Sequence, residues 1–193
     1  MASRKTAPAR KSKGERYVAF LRAINVGGHI VKMDQLRKLF EGMRFANVQT
    51  FIASGNVIFE TNADPEKLER QIEAHLQKNL GYAVSTFLRT TTELQAVAAA
   101  TPFPPKRRTD ESTLYIGFLG SAPASALCER VAGLSNPIDD LAVVGREVHW
   151  LCQGKMLDSR INYALLEKTL ATPATFRNVN TVNRLVAKLT SDS

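Results

Sequence analysis

Cysteine is scarce: Cys128 and Cys152 are the only two in 193 residues. Two thiols cannot build the disulfide framework of a small secreted domain, and their spacing matches no metal-ligand motif. They read as reduced thiols of a cytoplasmic protein. Long apolar runs are also absent. None approaches the ~20 residues that a membrane-spanning helix needs, so no membrane partner is expected. The usual catalytic signatures are missing too: there is no HExxH, CxxC or GxSxG. His29, His75 and His149 are scattered, and each reads as a surface or partly buried structural residue. Asp158, Ser159 and Tyr163 lie near one another in sequence, but no base accompanies them for nucleophilic work. No catalytic residue, metal site or cofactor is assigned on this reading, and whether the protein is an enzyme stays open.

What is present is a globular composition, 44% hydrophobic, with a net charge of +8. The charge is unevenly placed. Arg4, Lys5, Arg10, Lys11, Lys13 and Arg16 face Glu15 alone in the first sixteen residues. Apart from Met1 and Pro8, that segment has no apolar side chain larger than alanine, and it cannot offset its own ordering entropy, so 1–16 is expected to be a disordered basic tail. Such a tail can touch nucleic acid or serve as a solvated leader. It does not read as a secretory signal, because no apolar segment follows its charges before the first strand.

From Tyr17 onward the pattern is that of packed elements. Residues 17–24 are apolar on both faces and read as a central strand. Asp34 is a plausible N-cap for a helix over 35–43. Val48–Ala53 and Asn56–Glu60 flank Ser54-Gly55 as a hairpin. Asp64-Pro65 opens a helix over 65–80 that Gly81 closes. Ala83–Arg89 is a further strand. This order is the βαββαβ of ferredoxin-like folds. Thr90 and Glu93 then have capping-box spacing for a short helix. Three prolines and Lys106-Arg107-Arg108 break the pattern at 101–111 and read as a linker. The remainder repeats the order: strand 113–119, helix 124–132, hairpin 141–144 and 148–152, helix 158–170, a short strand at 174–177 and a last helix over 180–190. The expected fold class is α+β, with two ferredoxin-like (βαββαβ) halves over 17–100 and 112–193 and an extra C-terminal helix.

Two polar segments stand out. Arg22 sits in the first apolar run, ahead of Asn25 and Gly27-Gly28. A buried guanidinium needs a carboxylate or an anionic ligand, so Arg22 either pairs internally or faces a ligand. The glycine pair can expose backbone N–H groups to a phosphate, but it lacks the GxGxxG spacing and the Walker lysine-serine pair. The second segment is Arg177-Asn178-Val179-Asn180. Asn178 or Asn180 can cap the last helix, and Arg177 would lie beside a helix N-terminus, where an anion is favoured. Ser54 and Asn56 form a secondary polar turn that hairpin chemistry explains.

The segments Arg22-Ala23-Ile24-Asn25-Val26-Gly27-Gly28, Ser54-Gly55-Asn56-Val57-Ile58-Phe59, Leu88-Arg89-Thr90 with Glu93-Leu94, Pro102-Phe103, and Arg177-Asn178-Val179-Asn180-Thr181-Val182 occur in that order. Together they resemble the domain-of-unknown-function 1697 family. The family usually reads glycine at Ala23, asparagine at Thr101 and tryptophan at Val179. The resemblance implies a cytosolic bacterial protein with two ferredoxin-like halves, and it implies no established reaction.

The leading functional expectation is a site for a phosphate- or carboxylate-bearing small molecule, made by Arg22, Asn25, Gly27, Gly28, Arg177, Asn178 and Asn180. One alternative is single-stranded nucleic acid stacked on Phe20 and Phe59, which occupy the strands that carry aromatics in RNA-recognition domains. Both phenylalanines read more readily as core. A second alternative is a protein-interaction module that exposes an open sheet face.

Overall fold

The computed structural model describes residues 14–25, 28–52, 55–154 and 159–191. The expectations placed on 1–13, Gly27, Ser54 and Asp158 lie outside these residues.

The elements in order are β1 (Glu15–Leu21), α1 (Met33–Gly42), β2 (Ala46–Phe51), β3 (Asn56–Thr61), α2 (Pro65–Leu80), β4 (Thr86–Thr90), α3 (Thr91–Ala99), β5 (Ser112–Phe118), α4 (Ser125–Ala132), β6 (Asp139–Val144), β7 (Glu147–Gln153), α5 (Tyr163–Leu170), β8 (Thr175–Asn178) and α6 (Val179–Ser191). They form two four-stranded antiparallel sheets with orders β2-β3-β1-β4 and β6-β7-β5-β8. This is the ferredoxin-like order twice over, and the α+β expectation holds. Each half also carries a helix after its fourth strand, α3 in the first and α6 in the second.

Local chemistry explains the helices. Asp64 accepts from the Glu66 backbone N–H, Pro65 starts α2, and Gly81 ends it in the left-handed region at φ 83°. Thr90 and Glu93 complete the capping box of α3. Asn162 caps α5 through the Leu165 N–H. α1 differs from expectation. It starts at Met33 behind Lys32, so Asp34 lies within the first turn, where its charge favours the helix dipole.

One face of each sheet packs on its own helices. Ala19, Leu21, Val57 and Phe59 meet Leu36 and Phe40 of α1 and Leu68, Ile72 and Leu76 of α2. Val148 and Trp150 meet Val131, Leu166 and Leu170 in the second half. Trp150 donates to the buried Asp139 carboxylate at 2.7 Å, which also accepts from Ser159 at 2.8 Å.

The other two sheet faces pack on each other. Val18, Phe20, Ile58 and Phe87 of the first sheet and Leu114, Ile116, Phe118 and Leu151 of the second share one core with α3 and α6. At its centre Phe20 stacks on Phe118 with ring centroids 3.8 Å apart. The connection between halves is tied down as well: Phe103 is buried in this core, and Arg107 pairs with Asp140 at 2.7 Å.

The edge strand β4 does not leave its outer N–H groups bare, a liability that edge strands must manage. Glu73 and Glu69 of α2 accept from Thr86 and Leu88 at 2.9 and 2.8 Å. At the chain's start, β1 begins at Glu15, two residues before the expected limit. Arg16 therefore belongs to the sheet and pairs with Glu60 at 2.8 Å.

Candidate functional site

β1 ends at Leu21 rather than at Ile24. Ala23 adopts φ 60°, a left-handed conformation that glycine takes freely and alanine takes at a cost of ~1 kcal/mol. That turn removes Arg22 from the strand's alternation and sends Ile24 into the helix-side core instead. Arg22 then reaches across to the second half. Its Nε and one terminal nitrogen each donate to Glu167 of α5 at 2.8 Å, a bidentate pair that is half-buried. Asn25 accepts from the Val31 N–H at 2.8 Å and closes the loop that holds Gly28 at φ 85°.

Arg177 lies inside the interface, 8% exposed. Its Nε donates to the Asn56 side chain at 2.7 Å, and its terminal nitrogens donate to Thr175, Phe176 O and Leu21 O at 2.9, 2.8 and 3.1 Å. Its charge also lies over the Phe20 ring at 5.8 Å. Burial pulls its pKa down to about 10. The hairpin turn at Gly55-Asn56 meets the end of β1 because β3 runs antiparallel to it, with Asn56 opposite Phe20. Arg177, Asn56 and the Leu21 carbonyl thus converge, with Arg22 the next residue along. Asn178 caps α6 by accepting from Asn180 N–H at 2.8 Å. Arg22 and Arg177 thus bond across the two halves and hold them together.

Sequence reasoning passed over a second cluster. Arg89 of β4 is 1% exposed and points between the sheets. Its Nε donates to Glu147 at 2.5 Å, and its terminal nitrogens donate to the Leu88, Leu119 and Arg146 carbonyls at 2.6, 2.9 and 3.0 Å. Arg146, in the β6–β7 turn, donates to Glu93 of α3 at 2.7 Å. His149 of β7 faces the same interface. It is 1% exposed, against the surface or partly buried role expected of it. Its Nδ1 has no hydrogen-bond partner among the described residues, and burial holds its pKa down to about 4, so the ring is neutral at pH 7.

These residues line a cleft of about 300 Å³ between α3 and the β6–β7 turn, completed by Ala96, Val97, Ala100 and Val144. Burial alone would raise the Glu93 carboxyl, but the Thr90 N–H and the Arg146 charge outweigh it and hold the group ionised, below the usual range. Burial lowers Arg89, and the Glu147 carboxylate opposes that shift. The cleft therefore combines apolar walls, two cations each held by a carboxylate, and one neutral imidazole with a ring nitrogen unused.

Residues 15–149 match the family described as Protein of unknown function (DUF1697). The chain belongs to that family. Arg89, Glu93, Arg146, Glu147 and His149 all fall within the matched residues. Among solved structures, the fold is similar to conserved bacterial protein SP0830 from Streptococcus pneumoniae. The TM-score is 0.70 at 20% identity, over 91% of this chain and 98% of that one. At that identity the likeness shows the fold alone. The chain matches none of the curated proteins compared with it.

The two alternative expectations can be set against the sheet faces. Phe20 and Phe59 are both fully buried, one between the sheets and one under the helices, so neither ring is open to a base. The face that an interaction module would expose is covered by the other half. Among the described residues no helix is long and apolar enough to cross a membrane, and no group of three or more His, Cys, Asp or Glu could hold a metal ion.

Proposed function

We propose that this DUF1697 protein binds a small molecule bearing a phosphate or carboxylate in the cleft between α3 and the β6–β7 turn. The observation that carries the reading is a partly exposed guanidinium, Arg146, beside the unpartnered and buried His149 on the wall of one cavity. The ligand's anion competes with Glu93 for Arg146, and Arg89 behind it adds positive potential. The neutral ring of His149 offers one further hydrogen bond. Ala96, Val97, Ala100 and Val144 take the ligand's apolar part. A cleft of about 300 Å³ suits a compact molecule rather than a dinucleotide.

A thermal-shift titration with phenyl phosphate, against phenol as the uncharged control, tests this reading. Wild type and Arg22→Ala should gain melting temperature with dose, phenol should give nothing, and Arg146→Ala should lose the gain. A gain retained in Arg146→Ala and lost in Arg22→Ala would move the site to the end of β1 and refute the cleft.

A further inference from the structure

A second cavity, of about 510 Å³, lies on the far side of the Glu93–Arg146 pair. The two cavities share that pair as a wall. The lining of the second is of a different kind. Glu15 of β1, Glu66 and Glu69 of α2 and Glu93 of α3 all face it, with Arg146 as its one basic side chain. Acidic residues alone would signify only a solvated surface. Tyr17 supplies the independent observation. It is 6% exposed and lines the cavity, yet its hydroxyl makes no hydrogen bond to any described residue. Burial raises its pKa first, and the charges of Glu15 and Glu93 raise it further. Those two carboxylates therefore act on the hydroxyl, which stays protonated and offers a lone pair and a donor to the cavity. Burial likewise raises Glu69, although the Leu88 N–H and the nearby Arg146 and Arg89 charges pull the other way.

The chemistry this arrangement recognises is a cation with N–H donors and an apolar body. The carboxylates do not gather tightly enough for a metal, since no metal-holding group occurs among the described residues. Spread around a cavity of this volume, they suit an organic ion instead. Pro65, Leu88 and the Tyr17 ring offer the apolar contact, and an aromatic face also attracts a cation.

We propose that this cavity is a second binding site, for a primary ammonium group carried on a small apolar body. The ammonium donates to Glu66, Glu93 and the Tyr17 hydroxyl oxygen. The site is carried by Tyr17 and the α2 carboxylates, and it stands whether or not an anion binds in the neighbouring cleft.

Isothermal titration of the full chain with 2-phenylethylamine, against 2-phenylethanol at equal ionic strength, tests it. The amine should bind saturably at one site, and the alcohol should not. Glu66→Gln and Tyr17→Phe should each weaken the amine by about tenfold, the loss of one charge-assisted hydrogen bond. Tyr17→Phe keeps the ring that packs against Phe59, so a folding failure will not obscure the result. Phenyl phosphate binding by the same samples reads the other cleft separately. Amine that binds no better than the alcohol, or that binds Tyr17→Phe and Glu66→Gln as tightly as wild type, overturns the site.

Discussion

Arg146 and Glu93 meet at 2.7 Å, and this single ion pair closes the gap between the second half's hairpin turn and the first half's third helix. It is partly exposed, so its contribution to stability is small, at most ~1 kcal/mol. Its position matters more than its strength. On one side lie Arg89 and His149, and on the other Tyr17 and the glutamates of α2.

Neutralising Glu93 should therefore push the two cavities in opposite directions. Glu93→Gln keeps a side chain that can complete the capping box, so stability should change by less than ~1 kcal/mol. Arg146 is released to a ligand anion, and phenyl phosphate should bind about tenfold tighter. The amine loses a carboxylate and should bind more weakly. Titration calorimetry with both probes measures the two signs at once.

Arg177 and Arg22 should differ sharply in their effect on folding. Arg177→Leu strips donors from Asn56, Thr175 and the Leu21 carbonyl inside the interface. Its cost should be about 3 kcal/mol, as for other broken buried polar networks. Arg22→Ala removes a pair whose arginine side chain is 39% exposed and solvent-screened, and should cost less than ~1 kcal/mol. Urea denaturation of both variants checks the order, and equal costs would contradict it.

His149 gives the protein a defined acid sensitivity. Its folded pKa of about 4 lies below the ordinary 6.5, so between these values the unfolded chain binds the extra proton. Stability from this group is complete above pH 6.5 and is lost as the pH falls toward 4, by up to ~3 kcal/mol. His149→Leu should flatten the curve over that window. Melting temperatures from pH 4 to pH 7.5 on both proteins test it.

Ala23 occupies φ 60°, a left-handed conformation that glycine adopts without strain. Ala23→Gly relieves that strain but frees the unfolded chain, so the net gain should be modest, up to about 1 kcal/mol. A loss of stability in denaturant melts would contradict this account of the turn.

Much of the fold was legible because local signals agreed with the global pattern. Asp64, Pro65 and Gly81 bound α2 where expected, and the Thr90–Glu93 box starts α3. The partners of the polar residues were not legible. Arg22 and Glu167 are 145 positions apart, and nothing local links them. The signal that drew attention to Arg22, a charge within an apolar strand, fits Arg89 and His149 better. Each of those alternates onto the face between the sheets, whereas Arg22 lies one residue past its strand. Reading a single strand could not tell that its second face would be covered by the other half of the chain.

The most direct measurement is a two-dimensional amide NMR titration of the full chain with phenyl phosphate. The account predicts saturable shifts confined to Glu93, Ala96, Gly145, Arg146 and His149, with Asn25, Gly28 and Asn180 unmoved. Shifts confined to Asn25, Gly28 and Asn180, or none that saturate, would contradict it.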